Sequence, residues 1–341
     1  MPTVPVQSSR SRLSWADVAK GIGILLVVYG HAQRGLVSAH LLAEGAIVLG
    51  VDHFIYSFHM PLFFTVAGFF LAPTSGKHDV VGWGVKLRRV WYPYLIWAPT
   101  QILLQIFAGA HVNHRVGFDA ITRMLYAPPM QFWFLYALLL QQLMFWLAWR
   151  LGTGRAAFFL IAVACAWVER SVELGPFVPL HQALSHLPFL AAGVWLGEPR
   201  RLASIGQLPM RLVFFVAIVG FSLVGASAAA PDQVWAMHWQ PLLTASGVSA
   251  ALALSLLVHR SRVLAYLGQR SLEIFVAHTI ASAATRIVLR SVLHVESAAL
   301  HLVSGFVVGV AAPLVLVAVC QRLRFPYLFA WPSRATTAAS P

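Results

Sequence analysis

Long apolar runs alternate with short polar or Pro/Gly-rich breaks along the whole chain. A membrane-spanning helix needs roughly 20 mostly apolar residues, and about ten such stretches can be placed. They lie near residues 18–36, 54–72, 89–110, 131–149, 156–169, 183–198, 211–230, 239–258, 271–290 and 299–321. The fifth and sixth are the shortest. The pattern therefore predicts an all-α fold, a polytopic membrane helix bundle of about ten transmembrane helices.

The composition supports a bilayer as the solvent. Of the 341 residues, 59% are hydrophobic and only 10% are charged, too few to coat a soluble globule of this size. The net charge of +13 does not indicate nucleic-acid binding, because the basic residues lie between apolar runs. Cys165 and Cys320 both lie within apolar segments, so neither a disulfide framework nor a metal site is expected.

The distribution of Lys and Arg predicts the orientation in the membrane. Cytoplasmic loops collect basic residues, and with the amino terminus inside most of the 24 Lys and Arg residues fall on that side. The outer side keeps only Arg34, Arg115, Arg123, Arg170, Arg286 and Arg290. Both termini are therefore predicted to be cytoplasmic, in a bacterial inner membrane. Residues 1–12 and 332–341, rich in Ser, Thr, Pro and Ala, are predicted to be disordered cytoplasmic tails around one membrane domain, 13–331.

The first predicted helix carries ionisable residues, with Asp17 at its start and Lys20 and His31 within it, and such residues are costly inside a membrane and indicate function. Asp17, Lys20 and His31 fall near one stripe of the helix, with His31 about 16 Å beyond Lys20 at 1.5 Å per residue. Gly21 and Gly23 would let a helix or a ligand approach closely. The structural alternative is an interfacial Asp17–Lys20 pair and a histidine that hydrogen-bonds between helices.

His59 lies in the second predicted helix, at a depth similar to that of His31. Pro61 is expected in the first turn of this helix, where proline is tolerated. His59 is then either a site residue or a cap at the outer surface.

A basic cluster, Lys86, Arg88 and Arg89, lies at the predicted start of the third helix. Lys86 and Arg89 share a face near a helix amino terminus, where backbone N–H groups favour anions. With Lys20, these residues are candidates for binding phosphates. The alternative is a set of anchors that snorkel to the inner surface.

Five motifs resemble those of the acyltransferase family 3 membrane proteins, most closely the fucose 4-O-acetylase-like branch. They are DVAKGIGILLVVYGH with Lys20 and His31, FHMPLFFTVAGFF with His59, KLRRVWYPYL with Lys86, Arg89 and Pro93, FWFLYALL with Trp133, and LGQRSLEIFVAH with Ser271, Glu273 and His278. The family's usual arginines at the first place of both basic motifs are lysines here. Lysine keeps the charge and loses the planar fork.

The resemblance implies an O-acyltransferase that moves an acetyl or other short acyl group from cytoplasmic acyl-CoA, with acetyl-CoA the family default, to a hydroxyl of an extracytoplasmic or lipid-linked glycan. His31 would be the general base or be acylated itself. His59 would orient His31, bind the acceptor or polarise the thioester, and Asp17 would fix Lys20. Lys20, Lys86, Arg88 and Arg89 would bind CoA. Trp133, Glu273 and His278 are further candidates, each with a packing role as its alternative.

Two other functions fit some of the same residues. A transporter of a glycan or organic anion would also use intramembrane His and Lys, but no inverted repeat is evident. A scaffold in an envelope-polysaccharide assembly is the other alternative. The acceptor, the acyl chain and the oligomeric state, with a homodimer as one option, are not determined by the sequence.

Overall fold

The computed structural model describes residues 14–71, 80–109, 112–172, 175, 177–229 and 239–331, and these are helical without any strand. The helices are α1 (Ser14–Ser38), α2 (Ala46–Leu71), α3 (Val80–Ala108), α4 (Asp119–Arg123), α5 (Trp133–Arg150), α6 (Arg155–Ser171), α7 (Val178–Leu196), α8 (Pro199–Gly206), α9 (Met210–Ala229), α10 (Gln240–Leu257), α11 (Arg262–Gln269), α12 (Ser271–Ser291) and α13 (Ala298–Arg322). The predicted tails, 1–12 and 332–341, lie outside the described residues.

Six of the described helices are long and apolar enough to cross a membrane. They are Ala46–Leu71, Met130–Arg150, Met210–Ala229, Gln240–Leu257, Ser271–Ser291 and Ala298–Arg322. Large apolar side chains such as Phe107, Leu160 and Phe214 are exposed on the outside of the bundle, as expected where lipid replaces water. The chain is a multi-pass membrane protein. The count of about ten spans and the side of the termini stay predictions.

Helix α1 lies at the centre of the bundle and packs against α2, α10, α11, α12 and α13. It runs antiparallel to α2, since Trp15 contacts Phe69 and Arg34 pairs with Asp52. It runs parallel to α12. We call the end where α1 begins, at Ser14, the proximal end of the bundle, and the end where it finishes, at Ser38, the distal end.

Two helices begin at least two turns earlier than the sequence predicted. Helix α2 begins at Ala46 instead of near residue 54, so Pro61 lies in the helix interior and not in the first turn. Neighbouring helices make an interior proline tolerable in membrane proteins. Helix α3 begins at Val80 instead of near residue 89. In both helices the early turns contain charged or polar residues, which the apolar pattern assigned to loops.

Candidate active site

His31 faces the interior of the bundle. Its ring centroid lies 5.2 Å from that of His278 on α12 and 6.2 Å from that of Tyr56 on α2. Its side chain also lines a large cavity. A histidine in contact with two other polar rings beside a cavity is placed for chemistry and not for contact with lipid.

His59 lies in the middle of α2 and is 1% exposed. The expected alternative of a cap at the outer surface is therefore wrong. Its Nδ1 lies 2.7 Å from the carbonyl oxygen of Ile55, and because a carbonyl only accepts, Nδ1 carries the proton. The ring centroid of Tyr56 lies 4.7 Å from that of His59, so Tyr56 contacts both histidines. His31 and His59 also line the same cavity.

His278 is fully buried on α12. Its Nδ1 donates to the carbonyl oxygens of Phe275 and Ile274, at 2.8 and 3.1 Å, and its Nε2 has no hydrogen-bond partner. Glu273 instead forms a 3.1 Å ion pair with Arg270. The late motif therefore places His278 beside the ring of His31, and neither His278 nor Glu273 is among the residues that line the cavity.

The cavity has a volume of about 850 Å³ and occupies the distal half of the bundle. His31, His59 and Trp133 line one part of it, and Arg286 and Asn113 line another near the end of α1. Its lining also includes Arg34, Gly35, Ser38, Tyr56, Gln101, His114, Gln131, Phe275, Thr279 and His301. It is large enough for one or two sugar rings beside the imidazole of His31.

A buried polar network in the cavity wall was not predicted. Gln131 Nε2 donates to Gln101 Oε1 and to Thr279 Oγ1, and Thr279 Oγ1 donates to Gln101 Oε1, each at 2.9 Å. These bonds join three elements, namely α3, α12 and the turn that precedes α5. Gln101, Gln131 and Thr279 are polar residues that interrupt apolar runs, and this interruption was the sequence signal that could have indicated the network. The network fixes the helix that carries His278.

Arg34 and Asp52 form a second feature that sequence reading did not identify. The guanidinium of Arg34 donates to both carboxylate oxygens of Asp52, at 2.6 and 2.8 Å. It also lies over the ring of Tyr56, 3.1 Å from its centroid. The bidentate pair thus fixes the guanidinium that covers Tyr56, the ring that contacts both His31 and His59.

At the proximal end, Lys20 Nζ lies 2.7 Å from Asp17 Oδ1, and Gln269 donates to the other oxygen of Asp17 at 3.2 Å. Gly268 of α11 and Gly21 of α1 allow the two helices to touch through their backbones, since a Cβ on either would meet the opposite main chain. The small-residue face of α1 is therefore occupied in part by a helix. Lys20 remains partly exposed.

The basic cluster of α3 is placed differently from the expectation. Because α3 begins at Val80, Lys86 and Arg89 lie beyond its first turn, so its free N–H groups are not beside them. Lys86 donates to the carbonyl oxygen of Leu71 at 2.9 Å and lies over the ring of Trp83. The side chains of Arg88 and Arg89 are exposed. The three cations still share the proximal end of the bundle with Lys20.

The cavity does not include Lys20, Lys86 or Arg89 among its lining residues. On the stripe of α1 that joins Lys20 to His31, Ile24 and Val27 are buried in the apolar core, at 0% and 1% exposure. The stripe of α1 between Lys20 and His31 is therefore filled by packed side chains. The two sets of candidate residues lie at opposite ends of α1, with packed core between them.

Within the described residues, no group of three or more His, Cys, Asp or Glu side chains is arranged to hold a metal ion. Cys165 and Cys320 are free thiols. The arrangement is thus defined by imidazoles, amides and guanidinium groups.

The described part of the chain is thus a multi-pass helical bundle in which His31 faces a cavity and a basic cluster lies at the opposite end. The family model of acyltransferase family 3, described as an acyltransferase domain, matches residues 13–318. The chain belongs to this family of membrane acyltransferases. No curated protein and no solved structure matches it. The narrower likeness to the fucose 4-O-acetylase-like branch stays a prediction.

Proposed function

We propose that this protein is an integral membrane O-acyltransferase of a bacterial inner membrane. It moves an acetyl or other short acyl group from cytoplasmic acyl-CoA to a hydroxyl of an extracytoplasmic or lipid-linked glycan. The observation that carries the proposal is the cavity lined by His31 in the distal half of the bundle. Its size and its mixed apolar and amide lining suit a glycan acceptor.

In the proposed reaction, His31 takes the proton of the acceptor hydroxyl as its oxygen attacks the thioester carbonyl. The new carbon–oxygen bond forms, the carbon–sulfur bond breaks, and the CoA thiolate leaves and takes up the proton. In the two-step alternative, His31 attacks first and the CoA thiol leaves. The acceptor hydroxyl then takes the acyl group from the acyl-imidazole. Both routes use the same cavity and the same imidazole.

Tyr56 and His278 contact the ring of the proposed base, and His59 contacts Tyr56. Their rings restrict the orientation of His31, which is the positioning that a transfer between two bound molecules requires. Trp133 lines the cavity and offers a flat face on which a sugar ring would stack. In this proposal His59 and His278 are positioning residues, and Trp133 binds the acceptor.

The donor is proposed to bind at the proximal end. Lys20, Lys86 and Arg89 supply cations for the phosphates of CoA, and Arg88 lies next to them in sequence. Asp17 holds Lys20 through their 2.7 Å ion pair. Separation of the cation cluster from the cavity suits an enzyme whose two substrates arrive from opposite sides of a membrane.

For the acyl group to reach His31 along α1, the packing of Ile24 and Val27 has to open. We therefore expect an Ile24→Cys variant, with Cys165 and Cys320 changed to Ser, to react faster with a thiol reagent when acetyl-CoA, whose sulfur is acylated and does not consume the reagent, is present. Cysteine at Leu36, which lies on the distal side of His31, is the matched control and should not respond to acetyl-CoA. An unchanged rate for the cysteine at position 24 would exclude this route.

The proposal is tested with inverted vesicles that contain the protein, incubated with acetyl-CoA labelled in the acetyl group. An acyltransferase releases CoA thiol and moves the label to the glycan fraction in equal amounts. Vesicles without the protein are the control. A transporter would leave the thioester intact, so vesicles that retain all their acetyl-CoA would contradict the proposed function.

A further inference from the structure

The charges along the cavity wall do not balance. Among the described residues that line it are two arginines, Arg34 and Arg286, and no Asp, Glu or Lys. Arg34 is neutralised by its bidentate pair with Asp52. Arg286 has no carboxylate partner in the described part of the chain, and it donates a hydrogen bond to a backbone carbonyl, that of Gly35, at 3.0 Å.

Arg286 lies on α12 near the distal end of the bundle, and its side chain is half-buried. Gly35 belongs to the last turn of α1, one turn beyond His31. The carbonyl end of a helix carries only about half a negative charge, so it offsets part of the guanidinium charge. The bond to Gly35 uses one of five N–H donors, and a fork of the remaining donors suits two oxygens of an anion.

We propose that Arg286 binds an oxyanion, a carboxylate or a phosphate, carried by the acceptor, which would make the preferred substrate an anionic glycan. This inference rests on the proposed function for the meaning of the cavity. The distance along α1 from His31 to Gly35 is about one helical turn, roughly 6 Å. An anion on Arg286 would therefore hold a hydroxyl of the same or the next sugar near His31.

Arg290 provides a matched control. It lies one turn further along α12, donates in the same way to the carbonyl oxygen of Ala39 at 3.1 Å, and is exposed outside the cavity lining. Both arginines cap the end of α1, so a purely structural role would make their substitutions equivalent. A binding role for Arg286 would separate them.

The test measures binding of three probes to the purified full-length protein by ligand-observed NMR, without acyl-CoA. The probes are methyl glucuronide, glucose 6-phosphate and neutral methyl glucoside. We expect at least one anionic probe to bind tenfold or more tightly than the glucoside, and the better of the two identifies the oxyanion. Arg286→Gln should remove this preference and keep glucoside binding, while Arg290→Gln should keep both.

An equal affinity for all three probes, or a preference that survives Arg286→Gln, would overturn the inference. If Arg286→Gln does not fold, Arg286→Lys replaces it. This variant keeps the charge but loses the fork, so an undiminished anion preference would overturn the inference as well. Because the probes bind without catalysis, this result is separate from that of the acetyl-CoA assay, which alone tests the acyl transfer.

Discussion

The buried network of Gln101, Gln131 and Thr279 allows stability and function to be separated. Replacing Gln131 by Leu removes two of the network's three hydrogen bonds, each worth about 0.6 to 1 kcal/mol in a membrane protein. The same change removes Gln131 Oε1, a buried acceptor without a partner, whose burial costs about 1 to 3 kcal/mol. The two effects nearly cancel. We expect the free energy of unfolding to change by no more than about 1 kcal/mol.

Catalysis should respond differently, because the lost bonds help to fix α12, the helix that carries His278 beside His31. A loss of about 1 to 2 kcal/mol of positional restraint corresponds to a five- to thirtyfold decrease in kcat/KM. The assay follows release of CoA thiol in vesicles that contain acceptor glycan, together with thermal unfolding of the purified protein.

Gln141→Leu is the matched control for this experiment. Gln141 is also fully buried, donates to the carbonyl oxygen of Ala183 at 2.8 Å, and has an unpaired Oε1, but it does not line the cavity. It should retain wild-type kinetics. Equal losses of activity in the two variants, or no loss in Gln131→Leu, would refute the reasoning.

Three further predictions concern the proximal end and His278. Lys86→Ala combined with Arg89→Ala should raise the KM for acetyl-CoA about tenfold with little change in kcat, because phosphate contacts are lost. Arg260→Ala, at the same end of the bundle, is the control and should have no effect. An unchanged KM in the double variant would contradict the CoA site. His278→Phe keeps an aromatic ring and removes both nitrogens, so kcat should fall while the KM values stay the same. His259→Phe is the control, and wild-type kcat in His278→Phe would remove His278 from the mechanism. Gly268→Ala places a Cβ against the Asp17 carbonyl, so the free energy of unfolding should fall by about 1 to 3 kcal/mol. Gly225→Ala, whose Cβ would meet open space, is the control and should not destabilise the protein. An unchanged melting temperature for Gly268→Ala would count against the α1–α11 contact.

The sequence predicted the helices well where apolar runs were uninterrupted. Each predicted segment overlaps a helix, but the early turns of α2 and α3 were missed because Asp52 and Lys86 interrupt the apolar pattern. The amphipathic helix α11 was also missed, since eight residues are too few for a periodicity to emerge. Ser261, which caps its first turn, was the available signal.

Within the site, pairs on neighbouring helices were easier to predict than pairs distant in sequence. His31 and His59 were expected at one depth because α1 and α2 are consecutive and antiparallel. The bond between Thr279 and Gln101 joins residues 178 positions apart, and no local pattern indicates such a contact. The packing of α11 on Gly21 was missed for the same reason, since these residues are also distant in sequence. The roles of the site residues, the donor and the acceptor stay predictions.

The central claim is that the imidazole of His31 carries out the transfer. Its most direct test is mass spectrometry of envelope glycans from cells that produce wild-type protein, His31→Ala or His259→Ala, each at the same level in the membrane. The account predicts acylated glycan with the wild type and with His259→Ala, and none with His31→Ala. Acylation at the wild-type level in cells that carry only His31→Ala would contradict it.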